Sequence, residues 1–555
     1  MNRHSGTATG ILLSALVIAG GFYIWFSCIV SVVLMIMILV EIFNQKKLVI
    51  IKNPFGIATI VMGFFYLILC LWAVDRGMAL FGFFKFLPFP LYLIYLEQHE
   101  IDRERIISFL PAAGSVITVL TYVMSRFRSF DLVVAEGRLS GSFLYPNTFA
   151  IFLLVCLIVA VYEIKKRDYF EIIYAVILLF GIYETGSRAV YIITVLGLFA
   201  ILLISGIKVI KKLIISAVGI GIIGAAAVLF GGRLADISLH SSTLLGRILY
   251  YKDGLKIIIK HPFGLGYHGY YFVQKRYQTG VYNVLNIHND VMQLFLDIGF
   301  IPAVLFFSVF IYYIVRAIKQ KDGRTTVILC VVLMHIVFDY DMQFMAILFI
   351  IILFINDRRG VSKERISTLS LGIVTLLSMI CISGALRLGS SDYLYTIHRY
   401  EKSYKLYKGN TMSEAYMLGE ITDPEELMKY SKDVVEKNKE LYVGYLYLAS
   451  SYLQSGDMLS YMNYSAIAIE KAPYVYQNYV DYATVLIYSA QTYINDGDNE
   501  SARICVGELN RITDAMDKLK DSSDKLAWKI YEKPQTELPP EYQSLIFSLK
   551  EQLNE

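Results

Sequence analysis

Apolar residues recur in runs of about 20 from the N-terminus to about residue 386, each long enough to cross a ~30 Å hydrocarbon core. Beyond residue 386 the chain is polar and no such run follows. The pattern predicts an all-α, polytopic membrane domain over 1–386 and a smaller helical domain over 387–555. The membrane part divides into thirteen spans: about 9–26, 28–43, 54–73, 78–96, 105–124, 147–163, 168–184, 188–206, 212–230, 291–316, 325–338, 342–356 and 365–386. Residues 11–43 form one apolar stretch broken only by Gly20-Gly21. Residues 325–356 are split only by Asp339-Tyr340-Asp341, so the count is 12 or 13.

Charge orients these spans. Alternate loops carry Lys46, Lys47 and Lys52; Arg103 and Arg105; Lys165, Lys166 and Arg167; Lys208, Lys211 and Lys212; Arg316, Lys319, Lys321 and Arg324; and Arg358, Arg359, Lys363 and Arg365. The short loops between them carry only Arg76, Arg126, Arg128, Arg138 and Arg188. Positive residues stay on the cytoplasmic side. The first set is therefore expected inside with the N-terminus, and 387–555 outside. The long loop 232–290 is also expected outside. An external arginine has no anchoring role in this scheme. It is either a solvated surface group or a grip on a phosphate-bearing headgroup, which a guanidinium holds bidentately.

Composition adds little to this. The hydrophobic fraction is 56% and the net charge +4. Residues 387–555 hold 18 Lys/Arg against 26 Asp/Glu, so the basic excess lies in the membrane part and does not point to nucleic acid. Five of the six cysteines fall in or beside apolar runs, which predicts no disulfide framework. The first run lacks a small-residue cleavage site and is expected to be retained.

Within 387–555, residues 442–473 match a tetratricopeptide pattern, with Tyr445, Leu448-Ala449, Tyr452, Ala468 and Pro473. A weaker copy 34 residues on has Tyr479, Tyr482-Ala483 and Leu486. Stacked helix pairs, or a generic helical bundle, fit this pattern. Neither supplies a nucleophile–base pair, and packing or recruitment of a protein partner is the expected role.

Four segments carry candidate chemistry, all at expected external ends of spans. In Arg138-Leu-Ser-Gly-Ser-Phe-Leu-Tyr-Pro-Asn147, Asn147 can cap the next helix, which explains the segment apart from Arg138. In Thr185-Gly-Ser-Arg188, Ser187 and the next helix's N–H groups suit an anion, although Arg188 could equally snorkel. The third holds Arg247 and His261-Pro-Phe-Gly-Leu-Gly266. Residues 243–260 have helical apolar spacing and can lie flat on the membrane, and Gly264 and Gly266 permit a tight turn. The fourth, Asn286-Ile-His288-Asn through Gly299, puts His288 at a helix mouth. A neutral imidazole there can accept a hydroxyl proton, although an isolated histidine in this position more often caps or lines an interface. Asp297 lies three turns in. Asp339 and Asp341 interrupt an apolar stretch, where carboxylates are costly and often functional.

In this order, the segments resemble the O-antigen ligase family of bacterial polysaccharide ligases and polymerases. The resemblance rests on Arg138 to Asn147, on Ser187-Arg188, and on Arg247 followed by Pro262, Gly264 and Gly266. It rests most of all on His288-Asn289 with nine residues before Gly299. Pro302 departs from the family's usual Gly, Thr or Tyr. The likeness covers about 55–355, and the helical tail lies beyond it.

The resemblance implies a glycan donor carried on undecaprenyl diphosphate, with Arg188, Arg247 and Arg138 holding the diphosphate. Lys85, between aromatic residues and Pro88, is a further candidate, with snorkelling an equal competitor. His288 would activate an acceptor hydroxyl (on a glycan, a lipid or a surface polymer) for inverting, metal-independent transfer without cofactors. Asn147, Ser187, Asn289, Asp339 and Asp341 would support the site. Ligase activity is the first expectation and polymerase the alternative. A lipid-linked glycan flippase and a non-catalytic scaffold are the other function classes.

Overall fold

A computed structural model describes residues 3–127, 132–164, 170–204 and 242–554. The expected span 212–230, the start of the loop 232–290, and the basic groups Arg128, Lys165, Lys166, Arg167, Lys208, Lys211 and Lys212 lie outside the described residues. The described chain is all-α apart from two short two-stranded ribbons. It divides into two compact units. The first comprises Met1–Leu69, Leu80–Ser238 and His288–His398. The second comprises Cys70–Ala79, Leu239–Ile287 and Arg399–Glu555.

Seven described helices of the chain are long and apolar enough to cross a membrane: Ile24–Gln45, Pro54–Leu71, Arg76–Gln98, Arg103–Met124, Pro146–Ile164, Phe300–Lys319 and Thr368–Thr396. Arg188–Ile204, Gly323–Ile336 and Met345–Phe354 are apolar but shorter. The Ile24–Gln45 helix exposes Ile29, Val33, Ile36 and Val40, and Pro54–Ile68 exposes Ile57, Ile60, Phe64 and Leu67. These apolar stripes at helical spacing oppose equally apolar buried faces, so the outer surface is suited to lipid rather than water. The chain is a multi-pass membrane protein.

Pro146–Ile164 is the inner helix of the first unit, with every residue from Thr148 to Ala160 buried. Leu110–Met124, Phe170–Thr185, Arg188–Ile204 and Gly323–Ile336 pack on it. Small residues set the approach: a Cβ on Gly114 would stand 2.9 Å from Cys156 Sγ, and one on Gly181 2.8 Å from Leu153.

Several span ends differ from the sequence expectation, each for a local reason. The first helix, Arg3–Val17, stops before a 3-10 turn at Ala19–Gly21. The span expected over 291–316 is two helices, Asp290–Ile298 and Phe300–Lys319, parted by Gly299 at φ +85°. That left-handed value favours glycine. Pro302 falls in the first turn of the second helix, where a missing N–H costs no helical bond. The last span runs Thr368–Thr396, about 44 Å at the usual rise per residue. At the opposite end of Ile24–Gln45 from its start, Lys47–Ile51 pairs antiparallel with Val361–Arg365.

The second unit is built from helical hairpins. Tyr442–Gln454 packs on Met458–Lys471, and Tyr476–Asn495 on Asn499–Ser522. Asp457 and Asp498 cap the second helix of each pair, accepting from Ser460 N and Ser501 N. The second pair is longer than the first (20 and 24 residues against 13 and 14). Tyr479, Tyr482, Leu486, Cys505 and Leu509 form its core. The segment Cys70–Ala79 belongs here: Asp75 accepts from Met78 N at 2.9 Å and from Asn438 Nδ2 at 3.2 Å.

Candidate functional site

The first unit gathers three of the four sequence segments at one cluster. His288 Nδ1 stands 3.1 Å from Asp339 Oδ1. The same carboxylate oxygen accepts from Tyr145 OH at 2.8 Å and from Tyr340 N at 3.0 Å, while Oδ2 accepts from Asn147 Nδ2 at 2.7 Å. The Asp339 side chain is 2% exposed and that of His288 21%. A carboxylate facing Nδ1 puts the proton of a neutral imidazole on that nitrogen and the basic lone pair on Nε2.

Local sequence explains how these groups converge. Pro146 opens the inner helix, so Tyr145, Asn147 and Thr148 lie at its start. Asn289 accepts from Met292 N at 3.0 Å and caps Asp290–Ile298, which places His288 just before that helix. The 339–342 turn is pinned to the same helix start: Asp290 N donates to Asp339 O at 3.1 Å, and Asp290 Oδ2 accepts from Met342 N at 2.8 Å. Tyr340 stacks on Tyr145 at 4.7 Å between centroids and meets the His288 ring edge-on at 4.9 Å.

Arg138 ties the second segment in. It donates through Nη2 to Asn147 Oδ1 and through Nε to Thr185 O at 2.8 Å. Thr185 Oγ1 in turn accepts from Ser187 N at 3.4 Å, and Arg188 begins the next helix. Asn147 is thus oriented from both sides, by the guanidinium at its oxygen and the carboxylate at its nitrogen. Arg138 positions other groups, and Ser187 is buried at 2%.

Asp341 forms a second, deeper pair. It accepts from Thr148 Oγ1 at 2.6 Å and contacts His335 Nδ1, with both side chains at most 1% exposed. Below Asp290, Gln293 donates to Asp297 at 2.8 Å and Tyr66 OH donates to it at 3.0 Å. Lys85 is fully buried elsewhere in this unit. Its ammonium donates to Gly21 O at 3.1 Å and to Phe22 O, bracing the turn after the first helix.

Arg247 lies in the second unit, on the helix Ser242–Lys260. That helix buries Leu249, Tyr250, Asp253 and Ile257 and exposes Ile248, Leu255 and Ile259. The Pro262–Gly266 turn packs closely: Gly266 has φ +83° and a Cβ there would meet Ala73 at 2.5 Å. Gly264 likewise has φ +84°, so both glycines have a structural use within their own unit.

Sequence reasoning did not single out Tyr145, Thr148, Asp290, His335 or Tyr340. Tyr145 and Thr148 flank Pro146-Asn147, and Asp290 follows the capping Asn289, so proximity to the motifs was the available signal. His335 lies six positions before its partner Asp341 and its helix ends at Ile336, so no helical spacing marks the pair.

Membrane-length helices that bring a histidine–carboxylate pair, two tyrosines and an arginine-held asparagine to one end define a polytopic membrane protein with a built polar site. Residues 173–307, which include Arg188, Arg247 and His288, match the family model described as O-antigen ligase. The match is confined to that segment and supports the O-antigen ligase/polymerase family, whose members process polysaccharide. No curated protein matches the chain significantly.

Proposed function

We propose that the protein is a ligase moving a glycan from undecaprenyl diphosphate to an acceptor hydroxyl at the outer face of a bacterial plasma membrane. The contact of His288 Nδ1 with the buried Asp339 carboxylate carries this reading, because it equips Nε2 as a general base. The acceptor O–H gives its proton to Nε2 as its oxygen attacks the anomeric carbon. The bond from that carbon to the diphosphate breaks, with inversion, and the lipid diphosphate leaves with the electron pair. That leaving group is already a weak base and needs cationic stabilisation rather than an acid or a metal. Arg188 is the first residue for that role.

The orientation follows the positive-inside argument: N-terminus cytoplasmic, 387–555 extracytoplasmic. We read the hairpins beginning at Tyr442 and Tyr476 as tetratricopeptide-like, suited to recruiting a protein partner. A deletion strain tests the activity. Long lipid-linked chains should accumulate on the outer face. Accumulated single lipid-linked repeats would make the protein a polymerase instead, and lipid-linked glycan confined to the inner face would make it a flippase.

A further inference from the structure

Three helix ends of the first unit meet at a second polar cluster, remote in sequence from every motif above. His4 lies at the start of Arg3–Val17, Glu41 near the end of Ile24–Gln45, and His99 directly after Pro88–Gln98. Each offers one ligand atom, and the three atoms lie within 4.8 Å of one another. The two imidazole rings are stacked, with centroids 3.9 Å apart and planes 15° from parallel. His99 Nε2 is buried with no hydrogen-bond partner. Tyr95 OH stands 3.5 Å from His4 Nδ1, and Gln45 donates to Glu41.

A buried polar nitrogen without a partner is uncommon and calls for an explanation, an absent ion being one. Here the same nitrogen's ring stacks on a second imidazole, and a carboxylate completes the group. Two histidine nitrogens and one carboxylate oxygen are a zinc-type donor set that leaves a fourth position for water. Magnesium and calcium take oxygen donors and would not use the imidazoles.

We propose that His4, Glu41 and His99 bind one zinc-class divalent ion, which clips the start of the first helix to the ends of two others. The ligands come from three separate helices, so no metal-binding spacing is legible along the chain. The pair Tyr95–His4 and the donor Gln45 act as the outer contacts that orient such ligands.

The full chain, carrying a histidine-free affinity tag at its C-terminus, tests this after purification in detergent and stripping with EDTA. On reloading with Zn2+, elemental analysis should find one zinc per chain and the melting temperature should rise, reversibly with EDTA. Mg2+ should produce neither effect. The double variant His4→Ala/His99→Ala should retain no zinc and show no shift, while His261→Ala keeps both. His99→Cys should still hold one metal ion and, loaded with Co2+, show a thiolate-to-cobalt charge-transfer band missing from the parent protein. Substoichiometric zinc in the parent, full zinc in the double variant, or no such band in His99→Cys would each overturn the proposal.

Discussion

Two buried aspartates, one in each unit, look alike and do different things. Asp339 and Asp253 are both essentially inaccessible, and each accepts from a backbone N–H and from a tyrosine hydroxyl. The donors of Asp253 are Thr279 N at 2.9 Å, Thr279 Oγ1 at 3.0 Å, Tyr282 OH at 3.2 Å and Lys256 Nζ at 3.1 Å. They fasten the 279–282 loop to the Ser242–Lys260 helix. The donors of Asp339 come from the start of the inner helix and from its own turn. The network then continues outward to a partly exposed imidazole. A satisfied buried carboxylate is therefore structural by default. It becomes a candidate for chemistry when it orients an imidazole that reaches the surface, the side chain best suited to accept and give a proton.

The sharpest break in this comparison is His288→Ala. Loss of a general base should lower glycan transfer in membranes by roughly 10²–10⁴-fold with the protein still inserted and folded. Transfer at the parent rate would remove His288 from the mechanism. Next come the two aspartates as a matched pair. Asp339→Asn should reduce transfer by roughly 10²-fold, because the amide no longer fixes the imidazole tautomer. Asp253→Asn should leave transfer intact and lower stability by about 1–3 kcal/mol, the usual result of disturbing a buried hydrogen-bonded acceptor. Equal effects of both on transfer would erase the distinction drawn above.

A smaller effect is expected from Arg138→Lys. An ammonium cannot span Asn147 Oδ1 and Thr185 O with the fork that a guanidinium provides. Transfer should fall about tenfold through misplacement of Asn147 and the Thr185–Arg188 turn, with donor affinity changing less than turnover. A variant that lost donor binding alone would instead make Arg138 a direct diphosphate ligand.

Much of this was readable along the chain, and the reasons for the gaps are physical. Apolar runs revealed the membrane helices because lipid imposes length and composition on each span. The breaks inside spans, at Ala19–Gly21 and Gly299, depend on backbone conformation that hydropathy does not register. Arg138, Asn147, His288 and Asp339 were each suspected separately, and the structure joins them in one chain of contacts. Lys85 was suspected on the same grounds, yet it braces two carbonyls, because a lone charge in an apolar run looks the same whether it faces a ligand or a turn. Tyr340 carries no signal of its own, since tyrosine is frequent at membrane interfaces, and neither does His335, a single polar residue near the end of an apolar run. The segment Cys70–Ala79 covers the ends of two expected spans, 54–73 and 78–96, and the short loop between them. Its place in the second unit rests on contacts to Asn438 and Gly409 more than 300 positions away.

The smallest effect concerns the second unit and extends the comparison to a carboxyl that does change its proton. Glu414 is fully buried, with Lys437 Nζ 2.7 Å from its Oε2, and Lys437 also contacts Asp433 at 2.6 Å. One ammonium serves two carboxyls. Burial, followed by the neighbouring Asp433, pushes Glu414 up from 4.5 to about 8, and the lysine only partly offsets this. Between those two values the folded chain binds a proton that the unfolded chain has released. Stability of this region therefore falls as pH rises through that window and levels off above about 8. The change should be roughly tenfold in the local opening constant, because Lys437 and Asp433 share the adjustment. Hydrogen exchange across Thr411–Met417 in the full chain measures it, with protection expected to decline from pH 5 to pH 8. Glu414→Gln keeps the side chain uncharged throughout and should flatten the profile. A profile of equal slope in that variant would place the titrating group elsewhere.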